Sequence, residues 1–340
     1  MTHLALVYKD LALWTGYSSV GLQVAAQTTA EVLNHGGIST TVVGVRHNID
    51  LLSRIRNASR NQNPYSHIVI MAPWLTPLDL AALLRAFPKI QFAVQAHSNV
   101  GGVHGDVRGI ANFRQYADLI LSYPNLKIAG NCKSFVDWFA RAYDVERVFL
   151  LPNLYPLSQQ SRKQIRGAII HIGAFGALRP EKNFITATAA AIEIQKTLDQ
   201  PVALHMLTGG ESGGRRIADT IAQMTDGIPG FTVARCRWTE WSEFRKLVCR
   251  MDLLLQPSYT ESFNLVTADG IAEGVPSVVS DAIVWAPATW KAPSDSPSAI
   301  ARIGIRLIRH PKIWIGRDAL HNHNKQSLVF WREFLMERCG

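Results

Sequence analysis

Glu261 and Asp269 are the carboxylates whose setting in this 340-residue chain first suggests chemistry. They lie in Gln256-Pro257-Ser258-Tyr259-Thr260-Glu261-Ser262-Phe263-Asn264-Leu265-Val266-Thr267-Ala268-Asp269-Gly270-Ile271-Ala272-Glu273-Gly274-Val275-Pro276. The pattern predicts a buried strand ending at Leu255, a small polar loop, and a helix beginning near Asn264. Glu261 then stands at a helix N-terminus, where the amides of Ser262, Phe263, Asn264 and Leu265 can hold an anion, with Asp269 just over a turn further on. Two carboxylates with amides between them suit a ligand that carries hydroxyls at both ends and phosphates in the middle, such as a sugar nucleotide. A second stretch, Gly173-Ala174-Phe175-Gly176-Ala177-Leu178-Arg179-Pro180-Glu181-Lys182-Asn183, is a strand, a glycine-bearing loop with two cations, and a helix start. Arg179 offers a planar fork and Lys182 a point charge, a pair able to neutralise a diphosphate, although such a loop on its own is more often a solvated turn.

These loops need a frame, and the apolar pattern supplies one. Strands are predicted at Leu4–Tyr8, Thr40–Val45, His67–Met71, Ile90–Gln95 and Leu119–Ser122, with a helix over Val20–Leu33 ending at Gly36-Gly37. After Leu151-Pro152-Asn153-Leu154-Tyr155-Pro156 comes a polar linker, Ser158 to Arg166, and the alternation then restarts. Further strands are expected at Ala168–Gly173, Val202–Leu207, Phe231–Val233, Leu253–Leu255 and Val275–Ser280, and a tail helix over Asn324–Arg338. Continuous apolar runs separated by helices mark parallel sheets covered on both faces. The reading is therefore α/β, with two doubly wound Rossmann-like domains over 1–158 and 163–318, facing each other across a cleft, and a helix over 320–340 returning to the first.

Composition narrows the class. Apolar residues make up 47% and charged residues 18%, which excludes a disordered chain. No apolar run reaches the ~20 residues that span a bilayer, and the N-terminus reads as a first strand rather than a signal peptide. Four scattered cysteines without a CxxC pair fit a cytoplasmic protein, either free or peripheral to a membrane, and argue against a zinc site. The net charge of +9, spread over both halves, favours an anionic partner. His321 and His323 have no acid or cysteine beside them and read as a polar turn.

The late stretch resembles the E-x7-E signature of retaining GT-B glycosyltransferases, especially glycosyltransferase family 4. That pattern runs P-S-x-x-E-x-F-G, a helix, a second acid and an A-x-G-x-P close. Here it reads Pro257-Ser258, Glu261-Ser262-Phe263, Asp269 and Ala272-Glu273-Gly274-Val275-Pro276, departing in Asp269 for the usual Glu and Asn264 for the usual Gly. The Arg179–Lys182 loop is similar to the segment in which the family's Arg and Lys hold the donor diphosphate. His97, closing Phe92-Ala93-Val94-Gln95-Ala96-His97, matches a family His near the transferred sugar; Gly101, Gly102 and Gly105 follow it. Gly16, in Trp14-Thr15-Gly16-Tyr17-Ser18-Ser19, stands where the family carries a Gly-rich first loop, and Trp238 to Phe244 falls near the nucleotide base.

The resemblance implies a nucleotide-sugar donor, a UDP- or GDP-sugar, bound by the second domain and an acceptor bound by the first. Transfer would retain anomeric configuration and require neither metal nor cofactor, with His97, Arg179, Lys182 and Glu261 as the catalytic set. Gly16, Ser262, Phe263, Asn264, Leu265 and Asp269 would contact the donor. The acceptor stays open among membrane glycolipid, polysaccharide, protein and modified DNA bases, and the oligomeric state is not encoded in any recognisable pattern. Two rival readings remain at this stage: a GT-B nucleotide-sugar epimerase, and a non-catalytic binder of nucleic acid or an anionic surface on the same fold.

Overall fold

A computed structural model describes residues 2–10, 20–101, 106–157, 167–207 and 214–337. Among these, residues 2–10, 20–156 and 323–337 form one compact unit, and 157, 167–207 and 214–322 form a second.

The first unit contains β1 (His3–Lys9), α1 (Val20–His35), β2 (Ser39–Val45), α2 (Asn48–Arg60), β3 (His67–Met71), α3 (Pro77–Ala86), β4 (Gln91–Ala96), α4 (Val107–Ser122), β5 (Leu126–Gly130), α5 (Lys133–Ala142) and β6 (Val148–Leu150). Its six strands run parallel in the order β2-β1-β3-β4-β5-β6. Every residue of β3 and β4 is buried, as a parallel sheet covered on both faces requires. On one face Leu51, Ile55, Leu80, Leu84, Phe113, Tyr116, Phe135 and Phe139 from α2 to α5 close the core over Ile68, Ile70, Phe92 and Val94. Each such side chain contributes about 1.5–3 kcal/mol through burial. The helices begin where local chemistry starts them: Thr76 accepts from the Asp79 amide ahead of Pro77, and Asp106 accepts from the Gly109 amide.

The second unit contains β7 (Ile170–Ala174), α6 (Phe184–Leu198), β8 (Val202–Leu207), α7 (Gly214–Thr225), β9 (Phe231–Cys236), α8 (Trp241–Val248), β10 (Leu253–Gln256), α9 (Leu265–Ala272), β11 (Ser277–Val279), α10 (Pro297–Arg309) and the start of α11 (Ile313–Met336). Its parallel order is β11-β10-β7-β8-β9. The chain thus steps from β7 out to β9 and returns to the other side of β7 with β10. That reversal is a topological switch point, and the loops leaving the carboxyl ends of β7 and β10 flank it. From His323 onward α11 belongs to the first unit. There Asn324 exchanges two hydrogen bonds with the Tyr155 backbone (2.7 and 3.1 Å), and the Trp331 indole donates to the Pro152 carbonyl at 2.9 Å. No helix among the described residues is long and apolar enough to cross a membrane.

Three expectations are corrected. Leu119–Ser122 is not a strand but the last turn of α4, whose buried Phe113 and Tyr116 repeat at helical spacing while Leu121 faces solvent. The strand of that region is β5, beginning at Leu126. His321 and His323 sit within α11 rather than in a turn, and His323 Nε2 meets the Asn153 carbonyl at 2.9 Å. The tail helix also starts at Ile313, well before Asn324. The linker Ser158 to Arg166 lies outside the described residues.

Candidate active site

The loop after β10 is organised by Asn264, the residue before α9. Its backbone is left-handed (φ 69°), a conformation open to glycine and, next best, to asparagine. This accounts for Asn264 at a position where the family pattern has Gly. The side chain is fully used: Oδ1 accepts from the Thr267 amide at 2.8 Å, and Nδ2 donates to Gln256 Oε1 at 3.1 Å and Glu261 Oε1 at 2.8 Å. Gln256 in turn donates to the Phe175 carbonyl at 3.1 Å, which ties this loop to the one leaving β7.

The β7 loop is fastened from its own side. A Cβ on Gly173 would lie 2.4 Å from the Phe175 ring and 2.7 Å from Leu254, so this glycine makes room for packing and does not cradle a phosphate. Pro180–Lys182 form a single 3-10 turn, and Asn183 follows with φ 58°. Buried Asn183 donates through Nδ2 to the carbonyls of Pro257 (3.1 Å) and Ser294 (2.6 Å), while the Tyr259 amide donates to the Glu181 carbonyl at 2.9 Å.

Between the two loops, Lys182 Nζ meets Glu261 Oε1 at 2.6 Å. The same oxygen accepts from Ser258 Oγ at 2.9 Å and from Asn264 Nδ2, so three donors converge on it. The Glu261 side chain is only 7% exposed and that of Lys182 25%, which makes this a sheltered, oriented ion pair. An ammonium has three donors, so Lys182 can keep Glu261 and still turn a proton toward an anion. Arg179 lies three residues earlier with its side chain 48% exposed and Nη1 at 4.0 Å from Glu181.

Asp269 is buried on α9, and its Oδ1 accepts from the Trp241 indole N–H at 2.9 Å. Trp241 and Arg245 on α8 face Asp269 on α9 and Glu273 just after it, so two residues four apart meet two residues four apart. Arg245 pairs with Glu273 at 2.5 Å and places its guanidinium 5.4 Å from the Trp241 ring centroid. The stretch Trp238 to Phe244, expected near the nucleotide base, thus places one indole on the acid expected at the nucleoside end. Phe263 is buried and stacks on Trp285, with centroids 5.2 Å apart and 27° between planes. Trp285 also donates to the Phe263 carbonyl at 2.6 Å. Ser262 and Leu265 are half-buried on either side of the cap.

Lys182, Glu261, Asn264, Ser262, Phe263, Leu265, Asp269 and Arg179 all belong to the second unit. His97 belongs to the first, one residue past β4. Its Nε2 is 3.0 Å from Gln95 Oε1, and removal from water lowers its pKa from the ordinary imidazole value to about 4. The imidazole is therefore neutral near pH 7. Gly16 lies outside the described residues, as do Gly102 and Gly105. Asn183, Ser258 and Gln95 were not singled out as site residues from sequence, and Trp241 only as part of the stretch Trp238 to Phe244. Asn183 and Asn264, each just ahead of a helix, were the available signal, since asparagine tolerates the left-handed backbone found at both.

Residues 167–310 match the family model described as glycosyl transferases group 1. The sequence matches no curated protein. Among solved structures, the catalytic domain of starch synthase IV from Arabidopsis thaliana, bound to ADP and acarbose, aligns at TM-score 0.66 with 8% identity, over 99% of this chain and 100% of that one. Sucrose-phosphate synthase from Thermosynechococcus elongatus aligns at TM-score 0.61 with 12% identity, over 99% and 97%. TarM of S. aureus, in complex with fondaparinux, α-GlcNAc-glycerol and UDP, aligns at TM-score 0.57 with 14% identity, over 79% of this chain; the chain spans 55% of TarM's length. The architecture is GT-B, and the family match falls within the second unit.

Proposed function

We propose that the protein is a retaining glycosyltransferase that draws its sugar from a nucleotide-sugar donor, a UDP- or GDP-sugar, held by the second unit. The observation that carries this reading is the convergence of the β7 and β10 loops at the switch point, where Lys182 and Glu261 meet at 2.6 Å beside the exposed cation Arg179. Cations on one loop suit the diphosphate, and a carboxylate on the other suits sugar hydroxyls. The nucleotide-bearing complexes among the structural relatives are in keeping with this assignment.

In the proposed reaction the bond between the anomeric carbon and the diphosphate oxygen breaks, and a bond from that carbon to an acceptor oxygen forms on the same face. The acceptor proton passes to the departing phosphate oxygen, so no protein nucleophile is needed. Arg179 and Lys182 stabilise the charge gathering on the diphosphate. Glu261, oriented by Ser258 and Asn264, aligns the sugar, and Asp269 with Trp241 serves the nucleoside end. His97, neutral near pH 7, keeps in this proposal the catalytic role that the family resemblance implies. None of these steps calls for a metal. The +9 charge favours an anionic acceptor.

The test is nucleotide release from a panel of UDP-, GDP- and ADP-sugars, with and without candidate acceptor glycans and lipids. Acceptor-dependent release of the nucleoside diphosphate, with a product of the donor's own anomeric configuration, supports the proposal. Donor conversion with no acceptor present would instead mark an epimerase, and failure to bind any member would remove the reading.

A further inference from the structure

We propose that the exposed cationic face of α10, together with Trp314 at the start of α11, seats the second unit on a bilayer surface rich in anionic phospholipid. The proposal goes beyond the glycosyltransferase reading and does not depend on it, since it concerns a surface and not the β7 and β10 loops. From Arg302 to Arg317 the chain carries Arg302, Arg306, Arg309, Lys312 and Arg317 and no acid. On an ideal helix Arg306 and Arg309 lie about 40° and about 20° to either side of Arg302, so the three arginines form one stripe. All three are exposed. The other side of α10 belongs to the core. Ile300, Leu307 and Ile308 are buried there, and a Cβ on Gly304 would lie 2.9 Å from both Ile194 of α6 and Leu253 of β10.

The stripe lines a groove of about 480 Å³ between α10 and α6, to which α10 adds Ile305 and the following His310. Glu193 of α6 is the acid of that lining, and Ser298 Oγ donates to it at 3.0 Å. Arg302, Arg306 and Lys312 have no ion-pair partner among the described residues. Arg306 donates to the Thr289 carbonyl, a contact that leaves its charge uncompensated. The dipole of α10 favours cations in its last turn, which accounts for Arg306 and Arg309. It does not account for Arg302 in mid-helix or for Lys312 beyond the helix. Lys312 also holds a left-handed backbone, φ 35°, where glycine or asparagine fits more easily.

Trp314 selects the bilayer among polyanions. A Cβ on Gly316 would lie 2.4 Å from the Trp290 ring, so that side of α11 faces the core. Two residues back, about 200° around the helix, Trp314 is 62% exposed. An indole favours the headgroup level of a bilayer, with its ring against the acyl chains and its N–H in the wet layer. Clustered cations beside it are drawn to anionic headgroups. The segment carries a single indole, whereas proteins that track single-stranded nucleic acid present successive aromatic platforms.

The test is co-sedimentation of the full chain with vesicles of phosphatidylcholine, alone or with about 30% phosphatidylglycerol, at about 0.1 M salt. Binding to the anionic vesicles is expected to be about tenfold tighter or more. Arg302→Gln/Lys312→Gln should weaken it about tenfold or more, and Trp314→Ser about threefold or more. The control Arg56→Gln/Arg60→Gln removes the same charge from the exposed face of α2 and should leave binding within about twofold. Thermal melts check that each variant is folded. Should the α10 double variant melt early, Arg302→Gln alone carries the test, with a loss of about threefold or more expected. Equal affinity for the two kinds of vesicle, or equal losses in the two double variants, would overturn the proposal. So would tighter binding of a DNA oligonucleotide than of the anionic vesicles, with the same dependence on Arg302 and Lys312. Absence of nucleotide-sugar turnover would remove the glycosyltransferase reading and leave the vesicle result standing.

Discussion

Lys182 Nζ and Glu261 Oε1, from loops on adjacent parallel strands, lie 2.6 Å apart in a sheltered contact that Ser258 and Asn264 complete on the carboxylate side. The pair joins the cation expected at a diphosphate to the acid expected at a sugar, so each orients the other. Lys182→Met leaves Glu261 Oε1 to Ser258 and Asn264 and removes one cation from the leaving group. Its expected effect is a fall in kcat of about 10²–10³, the range seen on removing one stabiliser of developing charge. Steady-state kinetics of nucleotide release measure it, and the melting temperature should fall by the equivalent of about 1–3 kcal/mol as a nearly buried charge loses one of its partners. Lys182→Arg keeps the charge but not the contact geometry, and should recover only part of the rate.

Asn264 combines a left-handed backbone with three side-chain hydrogen bonds. Asn264→Gly tolerates the backbone and loses only the bonds, whereas Asn264→Ala loses both. Chemical denaturation should rank Ala below Gly by about 1–2 kcal/mol, the cost of placing a Cβ in the left-handed region. The reverse ranking would mean that the backbone relaxes away from φ 69°.

Trp241→Phe keeps most of the ring that Arg245 covers and deletes the indole N–H held by Asp269. A hydrogen bond to a buried carboxylate is worth about 1.5–3 kcal/mol, so a loss of stability in that range is expected in denaturant titrations. If Asp269 serves the nucleoside end, affinity for the free nucleoside should drop in this variant while inorganic pyrophosphate binding stays as it was. Calorimetric titration separates the two ligands.

Acid should destabilise the protein through its histidines. Burial lowers the pKa of His67 and His323, and brings those of His97 and His205 down to about 4. Between pH 6.5 and 4 the unfolded chain therefore binds more protons at these sites than the folded one, and stability rises with pH across that window. The contribution is fully present above pH 6.5 and is lost as pH falls toward 4. It amounts to about 3 kcal/mol for His97. Melting temperatures measured from pH 4 to 8 should climb and then level off above about 6.5 on this account.

Much of the fold was legible because parallel strands buried on both faces leave unbroken apolar runs. His67–Met71 was located to the residue, and the helix starts at Asn264 and Asn183 fell within one position. The run Leu119–Ser122 misled because four apolar or small residues in a row fit a strand and a helix's last turn equally well. The strands β5 and β6 were hidden by their brevity and by Lys127 within the first. At the site, the cationic loop and the acidic loop could each be read locally, but their meeting depends on strand order, which sequence spacing does not carry. The partners of Asp269 and His97 were hidden for different reasons. Trp241 comes from another helix, while Gln95 lies two residues away with its far end held by Leu151.

The most direct test of the account is calorimetric titration of UDP, GDP and ADP into the unsubstituted protein and into Arg179→Met and Lys182→Met. Saturable binding of at least one nucleoside diphosphate is expected, weakened about tenfold or more by either substitution, a difference of about 1.4 kcal/mol. Binding of equal strength in all three proteins would contradict the assignment of these cations to the donor's diphosphate, and with it the central claim.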